Sequence, residues 1–286
     1  MSLQPEPSRL LRHLKEISHE RNFQTMPGGL RSVESYIKEE LQSYGLDLEP
    51  DSFFFSGQKS SNWIARLKGF SPSAPRLIIG AHYDAVPGSP GADDNASGMA
   101  VLLETARVYA AAQPRWPGVE FAAFNMEEYG MIGSRNYAAR LKKEKIEISG
   151  MVSLEMVGFA SEEKGSQKMP LFLKPFYPEV GNFIGLVANT RSIPLLKKVE
   201  KIFRTVGELP LETLRLPANG WIFPDARLSD HSSFWDQGYP ALLVTDTSFF
   251  RNPYYHTEED TVATLNLDFL CRVAQAAARL VCEFNP

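Results

Sequence analysis

Thiols and imidazoles are scarce in this chain. Its 286 residues include two cysteines, Cys271 and Cys282, and five histidines, His13, His19, His82, His231 and His256. Two thiols exclude a disulfide framework and any zinc site built from several thiolates. Their spacing of eleven residues puts both on one face of a helix at about 100° per residue, and the simplest reading is a pair of reduced core cysteines. A metal held here must therefore rest on carboxylates plus one or two histidines. Excess charge is also lacking. The 30 Lys and Arg stand against 34 Asp and Glu, a net charge of −4, so nothing points to nucleic acid as a partner. No apolar run approaches the roughly 20 residues that span a bilayer, so no membrane partner is expected. The opening MSLQPEPSRLLRHLKEI contains no apolar segment of signal-peptide type. Met1-Ser2-Leu3 fits an expression scar, which leaves the compartment open: cytoplasm by default, periplasm or exterior if a leader was trimmed.

What is present is an ordinary globular mixture, 43% hydrophobic and 22% charged. That excludes wholesale disorder. Residues 8–17 and 30–44 have helical spacing, the second through Leu30, Val33, Tyr36, Ile37, Leu41 and Tyr44, with Gly45 as its stop. Strand-like runs follow at 51–55 and 61–67, and 76–81 (RLIIGA) reads as a strand covered on both faces. Strands are then expected at 119–125, 150–156, 183–188, 211–216 and 241–245, and helices at 95–112, 134–143, 194–206 and 267–284. Alternating β and α elements predict an α/β fold, a mostly parallel mixed sheet with helices on both faces. One domain over 1–286 is expected, with a loop excursion at about 161–181.

Ligand sites in such folds gather at the carboxyl ends of strands. His82 and Asp84 follow one strand, Glu127 and Glu128 another, Glu155 falls within a third, and the loop after 241–245 reaches Tyr255 and His256. A turn containing Asp93 and Asp94 opens the helix at 95–112. Taken singly, each has an ordinary explanation; Asp93-Asp94-Asn95, for instance, reads as an N-cap cluster. Taken together they converge on one sheet edge with two histidines and at least three carboxylates. Nitrogen and oxygen ligands without thiolate suit zinc, with manganese or cobalt as alternatives.

Five ordered motifs carry a resemblance: H-Y-D at 82–84, G-A-D-D-N-A-S-G at 91–98, E-E-Y-G-M-I-G-S at 127–134, L-E-M-V-G at 154–158 and Y-H-T-x-x-D-T at 255–261. Over residues 75–286 the chain resembles the co-catalytic zinc aminopeptidases, whose relatives include bacterial leucyl aminopeptidases, glutamate carboxypeptidase and glutaminyl cyclases. The resemblance implies a zinc exopeptidase sandwich and two zinc ions per chain. Asp94 would bridge them, with His82 and Glu155 completing one shell and Glu128 and His256 the other. It implies Glu127 as general base, Asp84 as the carboxylate orienting His82, and Tyr255 as a stabiliser of the oxyanion. Many members have Asp where this chain has Glu155. Asp93, Asn95, Ser97 and Gly98 read as structural, and Asp230 and His231 as either structural or substrate-contacting.

The implied reaction is metal-dependent hydrolysis of N-terminal residues from peptides, with Glu127 taking a proton from the attacking water. The implied partners are peptides with a free N-terminus; the oligomeric state is not readable. Aromatic residues at 249–254 and at Phe172, Phe176 and Tyr177 suggest an apolar first side chain in the substrate. Three rivals stay open: a glutaminyl cyclase, against which the intact 94–98 segment argues; a carboxypeptidase, with Arg191, Arg227 or Arg251 holding the substrate carboxylate; and a non-catalytic interaction protein.

Overall fold

Proline sets the first turn of two amphipathic helices, where its missing N–H has no helical partner to lose. These are α1 (Pro7–Ile17) and α2 (Pro27–Ser43), which bury Leu10, Leu14 and Ile17, and Leu30, Val33, Ile37 and Leu41. Gly45, at φ +81°, ends the second. The computed structural model describes residues 4–70, 75–112, 114 and 116–285; the leader reading of Met1-Ser2-Leu3 falls outside them.

A hairpin of β1 (Asp47–Phe55) and β2 (Gln58–Arg66) leads into the alternating region. There β3 (Arg76–His82), α3 (Gly98–Ala112), β4 (Val119–Phe124), α4 (Ile132–Lys143), β5 (Ile148–Leu154), β6 (Ile184–Asn189), α5 (Ile193–Phe203), β7 (Leu211–Leu216), α6 (His231–Asp236), β8 (Ala241–Thr245) and α7 (Leu267–Glu283) follow in order. The eight strands form one mixed sheet in the order β1-β2-β4-β3-β5-β8-β6-β7. Four neighbouring pairs are parallel: β3 with β4, β3 with β5, β5 with β8 and β6 with β7. Every residue of β3, β4, β6 and β8 is buried, as continuous apolar runs covered on both faces must be. One face packs on α1, α2, α3, α5 and α7. The other packs on α4 and α6, through residues such as Phe124, Tyr137 and Phe234.

Several expectations shift. The stretch at 95–97 is not ordinary helix, because Asp94 and Asn95 leave helical dihedrals (φ −102°, ψ 89° and φ −132°, ψ 41°). Asn95 instead spends its side chain on the chain itself, Oδ1 accepting from the N–H groups of Gly98 and Met156, both at 3.1 Å. Such side-chain bonds compete with helix formation. Glu155 lies just past β5 rather than within a strand. The short α6 was not expected at all; it runs for only six residues. Of the cysteines only Cys271 is buried; Cys282 is exposed, although Leu280, Val281 and Phe284 around it are in the core. No helix among the described residues is long and apolar enough to cross a membrane.

Candidate metal centre

Strand order changes direction at β3, with β4 on one side and β5 on the other. A crevice opens at such a switch point, outside the carboxyl ends of the strands. His82 is the last residue of β3. Glu127 and Glu128 follow β4, Glu155 follows β5, and His256 lies in the long segment after β8. Asp94 enters from the turn before α3. That turn is pressed against the end of β5, where a Cβ on Gly98 would sit 2.5 Å from the Leu154 carbonyl oxygen.

The side chains converge. Asp94 spans the centre: Oδ1 lies 3.2 Å from His82 Nε2 and Oδ2 lies 3.1 Å from His256 Nε2. Glu155 Oε1 is 3.3 Å from His82 Nε2, and Glu128 Oε2 is 3.4 Å from His256 Nε2. Three overlapping three-residue groups result: His82–Asp94–Glu155 and Asp94–Glu128–His256, which share Asp94, and His82–Glu127–Glu128. Glu127 Oε2 stands 4.0 Å from His82 Nε2. The longer arm of Glu155 is folded back, with Oε2 accepting from Ser229 Oγ at 2.9 Å and from Asn95 Nδ2 at 3.4 Å.

Supporting contacts fix this set. Asp84 Oδ1 lies 3.5 Å from His82 Nδ1. The two oxygens of Asp260 accept the N–H groups of Asp93 (2.9 Å) and Asp94 (3.1 Å). Arg21, wholly buried, donates to the carbonyls of Tyr83 (2.8 Å), Pro90 (2.5 Å) and Gly91 (2.8 Å), so it ties the loop after β3 to the Asp94 turn. Asp260 lies inside one of the recognisable motifs, so its place there was the signal; Arg21 carries no such signal. Asp93 accepts from Gly158 N and Asn252 Nδ2. His231 turns away from the crevice, its Nε2 donating to the Ala226 carbonyl at 2.9 Å and its ring edge-on to Trp235. Asp230 is buried behind the cluster; burial pushes its carboxyl up to about 7.

The electrostatics are those of a cation site. Burial pushes Glu127 well up and Glu128 up to about 7, helped by the neighbouring carboxylates. Burial likewise raises Glu155. Burial alone would lower both histidines; the carboxylates around them outweigh it, so His82 rises strongly and His256 rises to about 10. Asp94 is pulled down, because bonds from both imidazoles outweigh its burial. Glu128 Oε1 is buried with no hydrogen-bond partner among the described residues. Crowded carboxylates, two imidazoles and an orphaned oxygen fit bound divalent cations, and the all-nitrogen-and-oxygen donor set suits zinc.

A cavity of about 260 Å³ adjoins the cluster. Tyr255, stacked on His256 at 3.7 Å between centroids, stands at its edge. Tyr177, Phe249 and Phe250 line it. Phe172 and Phe176 do not; they are exposed, and Phe172 packs on Phe223. Among the described residues, no Lys, Arg or His lines the cavity. Arg227 is engaged by Asp236 and the Asn219 carbonyl, and Arg251 by Gln167.

Fold and site together define an α/β protein with a candidate metal centre at a sheet switch point. Residues 62–281 match the model of peptidase family M28, and the chain belongs to that family. It is 32% identical over 286 residues to the uncharacterized protein YfbL of Escherichia coli, covering 95% of this chain and 85% of that one. Among solved structures it is similar to the LapA aminopeptidase of Legionella pneumophila (TM-score 0.75, 21% identity, 96% of this chain and 71% of that one). It is also similar to BSAP, a zinc aminopeptidase from Bacillus subtilis (TM-score 0.60, 28% identity, 80% of this chain), of which it spans about half, 51%. The chain thus falls among peptide hydrolases.

Proposed function

We propose that this protein is a zinc aminopeptidase that removes N-terminal residues from peptides. The observation that carries the reading is the pair of ligand groups sharing Asp94. His82, Asp94 and Glu155 would hold one ion, and Asp94, Glu128 and His256 the other. When bound, the ions polarise the scissile carbonyl and acidify the attacking water.

The chain's own residues do the rest. Glu127 is outside the two groups that share Asp94, forms a third with His82 and Glu128, and faces the crevice 4.0 Å from His82 Nε2. From there its carboxylate takes a proton from water and returns it to the leaving amine. Asp84 holds His82 by its Nδ1 side, leaving Nε2 for the metal. Tyr255 stands at the mouth beside His256, placed to donate to the carbonyl oxygen as charge develops. The acidic surroundings favour the substrate's free ammonium. Among the described residues no cationic side chain lines the cavity to hold a C-terminal carboxylate, which supports the aminopeptidase reading over a carboxypeptidase. The described residues are read as one catalytic unit.

The test is hydrolysis by the zinc-loaded protein of leucine coumarin amide and its N-acetylated form, with mass spectrometry of a peptide. We expect turnover of the free amine only, stepwise trimming from the N-terminus, and loss of both with a chelator. Equal turnover of the blocked substrate, or trimming from the C-terminus, overturns the reading.

A further inference from the structure

The floor of the cavity is a single row across the sheet. The Glu155 N–H donates to the Val244 carbonyl at 3.0 Å, continuing the β5–β8 register in which Leu154 faces Val244. Glu155 is thus level with Thr245. Thr245 pairs with Gly185 on β6, and Gly185 pairs with Glu212 on β7. Cross-strand partners share a face. Three strand spacings of about 4.8 Å put the Glu212 Cα roughly 14 Å from that of Glu155. Between the two carboxylates the floor is low: Thr245 is small, and at Gly185 a Cβ would come within 3.2 Å of the Thr245 carbonyl. The neighbouring row is apolar, with Leu243, Val187 and Leu214 in register, and Leu173, Tyr177 and Phe250 also line the space.

Glu212 stands at the far end without a close counter-ion. Among the described residues it makes no ion pair within 4.0 Å, and Arg204, the cation acting on it, bonds Glu200 at 2.9 Å. Burial raises its carboxyl. An apolar channel with metal ligands at one end and an unpaired carboxylate at the other matches a long aliphatic side chain ending in a cation.

We infer that Glu212 is a specificity-determining residue that lets the cavity accept an N-terminal Lys or Arg besides apolar residues. An extended Lys side chain, a Glu side chain and one ion-pair contact together span about 13 Å, close to the length of the row. Leu or Met would fill the apolar stretch and leave Glu212 solvated. Terminal Asp or Glu would face repulsion from Glu212. The inference rests on the aminopeptidase reading.

The experiment compares zinc-loaded wild type, Glu212→Gln and Glu212→Met on coumarin amides of Leu, Met, Lys, Arg and Glu, with thermal melts to confirm folding. The wild type is expected to cleave the Lys and Arg amides and not the Glu amide. Both variants are expected to lose about tenfold or more in kcat/KM on Lys and Arg, with less than about a twofold change on Leu. An unchanged Lys-to-Leu ratio in both variants, or a wild type that cleaves Leu while rejecting Lys and Arg, overturns the inference and leaves the aminopeptidase reading standing. No cleavage of any free-amine substrate overturns both.

Discussion

Asp84 Oδ1 accepts the backbone N–H of Glu127 at 3.1 Å, while its Oδ2 accepts that of Glu128 at 3.2 Å. The same carboxylate lies 3.5 Å from His82 Nδ1. Asp84 therefore links two strand ends, its carboxylate bonding the segment after β4 and, with its own carbonyl 3.2 Å from His82 Nδ1, flanking the imidazole at the end of β3. Asp84→Asn keeps the shape but replaces one acceptor with a donor pointed at a backbone N–H. The expected outcome is a loss of roughly 10- to 100-fold in zinc affinity or kcat/KM. Competition against a chromophoric chelator, beside steady-state rates, checks it; wild-type values for both would remove Asp84 from the support of the site.

Glu127 and Glu128 are adjacent, yet the geometry gives them different work. Glu128 reaches His256 within the Asp94 group, and Glu127 faces the crevice from 4.0 Å off His82. Glu127→Gln should cut kcat by about 10²- to 10⁴-fold with zinc content unchanged. Glu128→Gln should lower zinc content itself. Elemental analysis paired with kcat separates them, and a Glu127→Gln protein at full activity would show that another group moves the proton.

Much of this was legible in the sequence, for identifiable reasons. Buried strands announce themselves as unbroken apolar runs, so β3 and β4 could be placed nearly to the residue, and the ligands fell at their ends. The turn at 92–97 was less legible. Its course is set by Asp260 and Arg21, which bond its backbone from segments 166 and 73 residues away from Asp94. A local window sees only an N-cap cluster. Arg21 shows the limit most clearly: its partners are carbonyl groups, which leave no trace in side-chain identity. Glu212 was similarly silent, because only sheet register brings it into line with Glu155.

Away from the site, Glu104 governs the acid limb of stability. Its buried carboxylate accepts from Arg9 Nε at 3.0 Å, Arg107 Nε at 2.8 Å and Glu6 N at 3.1 Å. Burial alone would raise its pKa; the nearby His13 imidazole and bonds from Arg107 and the backbone outweigh that and hold it below the usual carboxylate range. A depressed folded pKa means stability that is present above the unfolded value, near 4.5, and is lost as pH falls below it. His13, kept neutral by burial, acts in the same direction below about 6.5. Glu104→Gln should cost about 2 kcal/mol at pH 7, with the gap from wild type closing as pH drops toward 3. Urea melts across that range test it, and a pH-independent gap would contradict the assignment.

Metal removal should be visible without any substrate. Burial, with Glu127, Glu128 and Glu155 crowded beside Asp94, raises three of the four carboxyls, so the metal-free centre holds protons that bound cations would displace. Zinc at about a hundred times its Kd would add about 2.7 kcal/mol, a rise in Tm of several degrees for a chain of this size. The sharing of Asp94 makes the variants unequal. His256→Ala strips a ligand from one group only and should leave about one ion per chain, with part of the thermal gain. Asp94→Asn touches both groups and should remove most of the gain. Zinc stoichiometry by elemental analysis, beside thermal melts with and without zinc, distinguishes the two. Equal effects of His256→Ala and Asp94→Asn would mean that Asp94 serves one ion rather than joining two.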